Sequence, residues 1–80
     1  NIWDNIVKDK MKILLTLILC SSMQNMCMDP YPWPEKFNDT YDCMQFGYEE
    51  SKKKMAEIGR SDVNKHGIFL RFTCTPITET

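Results

Sequence analysis

The stretch Met11-Lys-Ile-Leu-Leu-Thr-Leu-Ile-Leu-Cys-Ser-Ser22, MKILLTLILCSS, governs how the whole chain is read. Ile13 to Cys20 is apolar except for Thr16, with Lys12 before it and the small polar Ser21 and Ser22 after it. A basic residue, a short apolar run and small residues ahead of a cut are the layout of an export signal. The narrow subsites of signal peptidase accept Cys20-Ser21-Ser22, which places the cleavage between Ser22 and Met23. A membrane span needs roughly 20 apolar residues, and Ser21, Ser22, Gln24 and Asn25 break the run sooner. An uncleaved anchor is the alternative reading. Acylation of Cys20 would want a small residue before it, where Leu19 stands.

Working outward, residues 1–10, NIWDNIVKDK, precede a Met-Lys pair that itself supplies a start and a basic leader, so they read as an upstream extension. Alternatively they lengthen the leader, with Ile2, Trp3, Ile6 and Val7 on one helical face, and one N-terminal helix then runs through the signal. Residues 11–22 are the signal, residues 23–36 a short strand and proline-rich connector, and residues 37–80 a helix-plus-strand mini-domain. In Pro30-Tyr31-Pro32-Trp33-Pro34 the alternate prolines hold the backbone near polyproline II and forbid helix or central strand. A surface connector explains this better than a ligand for a proline-binding groove.

Asn38-Asp39-Thr40 offers helix N-cap side chains, and Asp39 and Asp42 suit the positive end of a helix dipole. Phe37, Tyr41, Met44, Tyr48, Ser51, Met55 and Ile58 then recur at helical spacing, predicting a core stripe that only Ser51 weakens. Glu49 with Lys53 and Glu50 with Lys54 lie four apart, so Lys52-Lys53-Lys54 reads as a solvated face. Gly59 is a natural stop, with frayed helix running on to Val63 before Asn64 and Gly67 as the alternative. Ile68 to Thr75 alternates, with Ile68, Leu70, Phe72 and Cys74 on one side, which predicts a half-buried strand closed by Pro76. Residues 24–28 offer a short first strand beside it, and two parallel strands joined by one helix make a minimal crossover unit. The fold class expected is therefore an α+β mini-domain, with one main helix on a two- or three-stranded sheet, stapled by a disulfide and preceded by a signal helix.

With 80 residues the core alone is marginal, since such a domain buries only about 60% of its unfolded surface. Ten Lys plus Arg against 11 Asp plus Glu leave no basic footprint for nucleic acid. Four cysteines, Cys20, Cys27, Cys43 and Cys74, suit an oxidising compartment. Cys74 lies on the apolar side of its strand. Cys43 flanks the helix stripe beside Gly47, whose missing side chain lets a strand approach, so Cys43 to Cys74 is the expected bridge. Signal cleavage removes Cys20 and leaves Cys27 over, free, buried or bridging a dimer. A zinc site from Cys27, Cys43, Cys74 and His66 lacks the usual close pair of cysteines. His66, between Lys65 and Gly67, reads as a loop histidine. No redox pair, nucleophile elbow or phosphate loop is present. No catalytic residue, cofactor or metal is expected.

A short signal, Phe37-x5-Cys43-x3-Gly47-Tyr48, a charged helix and Ile68-Phe69-Leu70-Arg71-Phe72-Thr73-Cys74 together resemble small exported proteins of unknown function encoded by bacteriophages, marine ones especially. The resemblance implies export and a helix-to-strand disulfide, and it carries no activity; Cys27 lies outside its pattern. The expectation is an exported, non-enzymatic accessory or interaction protein, periplasmic or extracellular, with an unknown protein partner. The contending class is a membrane-anchored phage effector of lysis or superinfection that keeps Met11 to Cys20. Asn38-Asp39-Thr40 also matches the N-glycosylation pattern, which keeps a eukaryotic secreted origin open.

Overall fold

The computed structural model describes residues 11–78. Met11–Ser21 forms strand β1, an 11-residue strand. Two short strands follow, β2 (Met26–Cys27) and β3 (Tyr31–Pro32), then helices α1 (Thr40–Ile58) and α2 (Arg60–His66), and finally β4 (Ile68–Thr78). The result is a small α+β domain, one main and one short helix on a four-stranded antiparallel sheet.

This corrects the expected helix through the apolar run. Over Met11–Ser21 the backbone is strand, and residues 1–10 lie outside the described residues. β1 is the centre of the sheet. On one side it pairs antiparallel with β4 along its whole length, from Met11 opposite Thr78 to Ser21 opposite Ile68. On the other side it pairs with β2, with β3 and, by a bridge at Ile13, with Phe37. The parallel crossover of two strands does not form, because β2 turns back beside β1 through the Ser22–Asn25 loop. In that loop Asn25 takes the left-handed conformation (φ 52°), which asparagine tolerates better than most residues.

The prolines fit the sheet by parity. In antiparallel pairing, both backbone groups of a residue point to the same side, and the side alternates along the strand. Ile13 spends its N–H and C=O on Phe37 (2.8 and 2.9 Å), so nothing of it faces β4 where Pro76 stands opposite. Pro76 therefore sits inside β4, where it was expected to close the strand, with its missing donor turned away from β1. Likewise Trp33 donates its N–H to Leu15 O (2.8 Å), while Pro32, one residue out of phase, faces outward.

Helix α1 starts where expected: Asp39 is the N-cap, and its Oδ1 accepts the Asp42 N–H at 2.7 Å. The stripe, however, is rotated. Cys43 and Gly47 are buried, whereas Tyr41, Tyr48 and Met55 are 71%, 61% and 40% exposed. The reason is close approach. A Cβ on Gly47 would lie 2.5 Å from Phe72 Cδ2 and 2.8 Å from Cζ, so the helix meets β4 through its small residues. Leu15 and Cys43 are completely buried, and Ile13 nearly so. Leu17, Trp33, Phe37, Phe46, Phe72 and Cys74 pack around these three. Lys52, Lys53 and Lys54 are exposed, but Lys54 borders a groove against the sheet, and among the described residues the ion pair that forms is Lys54 to Glu57 at 3.0 Å.

Gly59 ends α1, and α2 closes at Gly67, whose left-handed backbone (φ 62°) lets its N–H return to Val63 O. The loop after β1 is stitched to this corner. Ser22 N–H donates to Gly67 O at 2.9 Å, and the Ser21 hydroxyl donates to His66 O at 2.6 Å.

Two substitutions test this packing. Gly47→Ala should lower the urea midpoint, since forcing a methyl against Phe72 costs about 1–3 kcal/mol and outweighs a helix-propensity gain of about 1 kcal/mol. In a Phe72→Leu background that loss should shrink, read as a coupling in a double-mutant cycle. Ser51 follows Cys43 and Gly47 at four-residue spacing, and its hydroxyl is buried with no hydrogen-bond partner. Ser51→Ala should therefore raise stability by about 1 kcal/mol, with an unchanged or lower midpoint as the contrary result.

Candidate functional site

The cysteines pair completely. Cys43 bonds to Cys74, with Cα atoms 6.1 Å apart, and Cys20 bonds to Cys27; no cysteine is free. The first bridge joins α1 to β4 directly over Leu15, because Cys74 stands opposite Leu15 in the sheet. The second joins two facing residues of the β1–β2 hairpin. Cys27, left over in the sequence reading as free, buried or bridging a dimer, is thus used within the chain. Its partner Cys20 lies in the run read as a signal, where a pairing with the rest of the chain has no place.

Ser22 and Met23, the residues flanking the expected cut, lie in the loop between β1 and β2, both donating backbone N–H groups to the Gly67–His66 corner. A cut there would sever β1 from the backbone of the domain. His66 ends α2 and offers its carbonyl to Ser21; the cysteines proposed with it as zinc ligands are all in disulfides. Among the described residues, no group of three or more His, Cys, Asp or Glu side chains could hold a metal ion.

What the sequence did not reveal is a groove. Antiparallel pairs share a face, so Leu15, Leu17 and Leu19 of β1 lie on the same face as Cys74, Phe72 and Leu70 of β4. The first turns of α1 cover the Leu15 end of that face. Beyond Gly47 the helix presents Glu50 and Lys54 toward the sheet, and charged side chains do not pack down on leucines. A groove of about 470 Å³ remains, lined by Leu17, Leu19, Leu70 and Met28, with Tyr31 and Trp33 as one wall and Asp29, Glu50 and Lys54 beside them. That volume is within the usual range of small-molecule pockets.

The aromatic wall is ordered. Tyr31 and Trp33 alternate with prolines along the sheet edge and meet edge to face, with centroids 6.1 Å apart and planes at 86°. Trp33 is also held by Phe46 at 5.2 Å and by its backbone bond to Leu15. The ammonium of Lys54 is bound by Glu57 on the next turn, and this hydrogen bond, then the charge of Glu57, raises the pKa of Lys54. The same bond lowers the pKa of Glu57. No known family, curated protein or solved structure matches the chain.

The two bridges should differ in weight. In the chain-entropy account, a loop of 31 residues stabilises by roughly 3–4 kcal/mol and one of 7 residues by roughly 2 kcal/mol. The Cys43→Ala/Cys74→Ala pair also opens a void beside fully buried Leu15. It should lower the thermal midpoint more than Cys20→Ala/Cys27→Ala does; the reverse order would show that the helix does not depend on its staple.

Proposed function

We propose that the chain is a non-enzymatic binding domain of an oxidising compartment, periplasmic or extracellular, and that the groove between α1 and the sheet is where it binds. The observation that carries this reading is the apolar floor left uncovered under α1, walled by Tyr31 and Trp33, in a domain that otherwise packs a very small core. Two disulfides support the oxidising setting, because such bonds persist there and are rare in reducing cytosol. Accessory function and a phage origin belong to this proposal through the remaining features of the resemblance described above. The export it includes rests on the disulfides, because the segment counted there as a signal is strand β1.

The proposal departs from the sequence reading in one respect: Met11–Ser21 stays in the working protein. Its removal would leave β2, β3 and β4 without the strand that each of them pairs with. The address that directs export then lies elsewhere than in residues 11–22. The anchored alternative asks β1 to leave the sheet for the membrane, giving up its pairings on both edges. Among the described residues, no helix is long and apolar enough to cross a membrane.

A neutral apolar fluorophore, N-phenylnaphthylamine, tests the groove. The oxidised protein should bind one equivalent. Met28→Glu, which sets a charge at the lip from an exposed position, should weaken binding at least about tenfold, and Met23→Glu, outside the groove, should leave it unchanged. Equal weakening by both, or no saturable binding, would remove this function. Intact mass of the protein from its native compartment tests retention of β1: a chain that starts at Met23 would overturn it.

A further inference from the structure

The groove has a polarity that its apolar floor alone does not require. Two mutually perpendicular aromatic rings, Tyr31 and Trp33, and two carboxylates, Asp29 and Glu50, line the same space. Aromatic faces carry the negative part of the ring quadrupole and attract cations, most strongly for tryptophan. Lys54 is the cation on that lining, and its ammonium is engaged by Glu57 at 3.0 Å. Among the described residues, neither Asp29 nor Glu50 is held in an ion pair. The lining therefore carries two carboxylates, two aromatic rings and one ammonium, Lys54, which is held by Glu57 and also feels the charge of Glu50.

We infer that the groove binds a small amphiphilic organic cation, an alkylammonium whose hydrocarbon arm lies on Leu17, Leu19 and Leu70 and whose positive head sits between the Tyr31–Trp33 corner and the carboxylates of Asp29 and Glu50. This rests on the proposed binding groove and specifies its ligand. Each part of the site has a separate task. The leucines take the apolar arm by removing it from water, without regard to charge. The rings and carboxylates choose the sign of the head. A quaternary head has no donor hydrogens to satisfy, so it loses little on leaving water for a ring face, whereas an anionic head would meet Asp29 and Glu50 directly. Tyr31 is 54% exposed and lies outside the core, whereas Trp33 packs on it, so Tyr31 is the ring of this corner that can be replaced without removing core packing.

The test is a fluorescence titration in a Trp3→Phe background, where Trp33 is the remaining tryptophan. The probes are hexyltrimethylammonium, 1-hexanol and hexyl sulfate, sharing one alkyl arm. The cation should bind about tenfold more tightly than the alcohol, with the sulfate weakest. Asp29→Asn/Glu50→Gln and, separately, Tyr31→Leu should each bring the cation to within about threefold of the alcohol while the alcohol's own affinity holds. Glu49→Gln, outside the groove lining, should change nothing. Equal affinities for the three probes in the parent protein would overturn the cation assignment and leave the apolar groove standing. Retained cation preference in both the carboxylate and the Tyr31 variants would also overturn it. Failure of N-phenylnaphthylamine to bind is the distinct outcome that removes the groove itself.

Discussion

The structure depends on one constraint: β1 must be hydrogen-bonded along both edges. A strand with partners on one side only leaves half its backbone groups to water, and a chain this short has few elements with which to cover them. Here β4 takes one edge entirely, while β2, β3 and Phe37 divide the other. That division explains how a proline-rich segment takes part in a sheet. Only every second residue of an edge strand donates inward, and at Trp33 and Phe37 the inward donor is not proline. Pro32 and Pro76 fall on the outward parity, where a missing N–H costs the sheet nothing and discourages further strands from docking.

The helix is placed by the second constraint, the Cys43–Cys74 bridge over Leu15. A disulfide between helix and sheet holds the two backbones nearer than large side chains would allow, so the positions around it must be small. Gly47 meets that need one turn after Cys43, and the Phe72 ring fills the space, with Tyr48 edge-on to it at 4.9 Å. On the other flank Phe46 joins Trp33 and Phe37. Bulk therefore sits at the sides of the contact, with its centre occupied by sulfur and backbone.

These constraints show which features were legible in the sequence. A helix cap within Asn38-Asp39-Thr40, the stop at Gly59, the alternation in β4 and the Cys43–Cys74 pairing are local, or rest on periodicities of single elements, and they agree with the structure, which uses Asp39 as the cap. The helix phase departs from the apolar stripe because at a close approach the buried residues are small, Cys43 and Gly47, with the Ser51 hydroxyl beside them, while Tyr41 points to water and Tyr48, 61% exposed, packs on the Phe72 ring. The largest difference lies in MKILLTLILCSS. A strand inside a sheet loses its period-two pattern when both faces carry apolar residues, and a short apolar run then looks the same whether it addresses a chain or forms a sheet. Only its partners distinguish the two, and those are far away in sequence: Ile68–Thr78 for one edge, Tyr31 to Phe37 for the other. The Cys20–Cys27 pair was lost with it. The groove was illegible for a related reason, since it arises between elements and no single element carries its signature.

The groove lies where α1 is least anchored to the sheet. Contacts that fix α1 are concentrated in its first half, at the N-cap, the bridge and Gly47, and the second half is held by the turn into α2 and by the corner where His66 and Gly67 meet β1. Between these anchorages the helix spans Leu17, Leu19 and Leu70 with Glu50 and Lys54 facing them. Leucine or phenylalanine at those two positions would have extended the core, and in so small a domain the added burial would be a large fraction of its stability. Polar residues there forgo that stabilisation. Such local departures from good packing, in a chain whose capping, turn chemistry and disulfide placement are otherwise consistent, are where binding sites are found, because a surface that has satisfied itself has nothing left for a ligand.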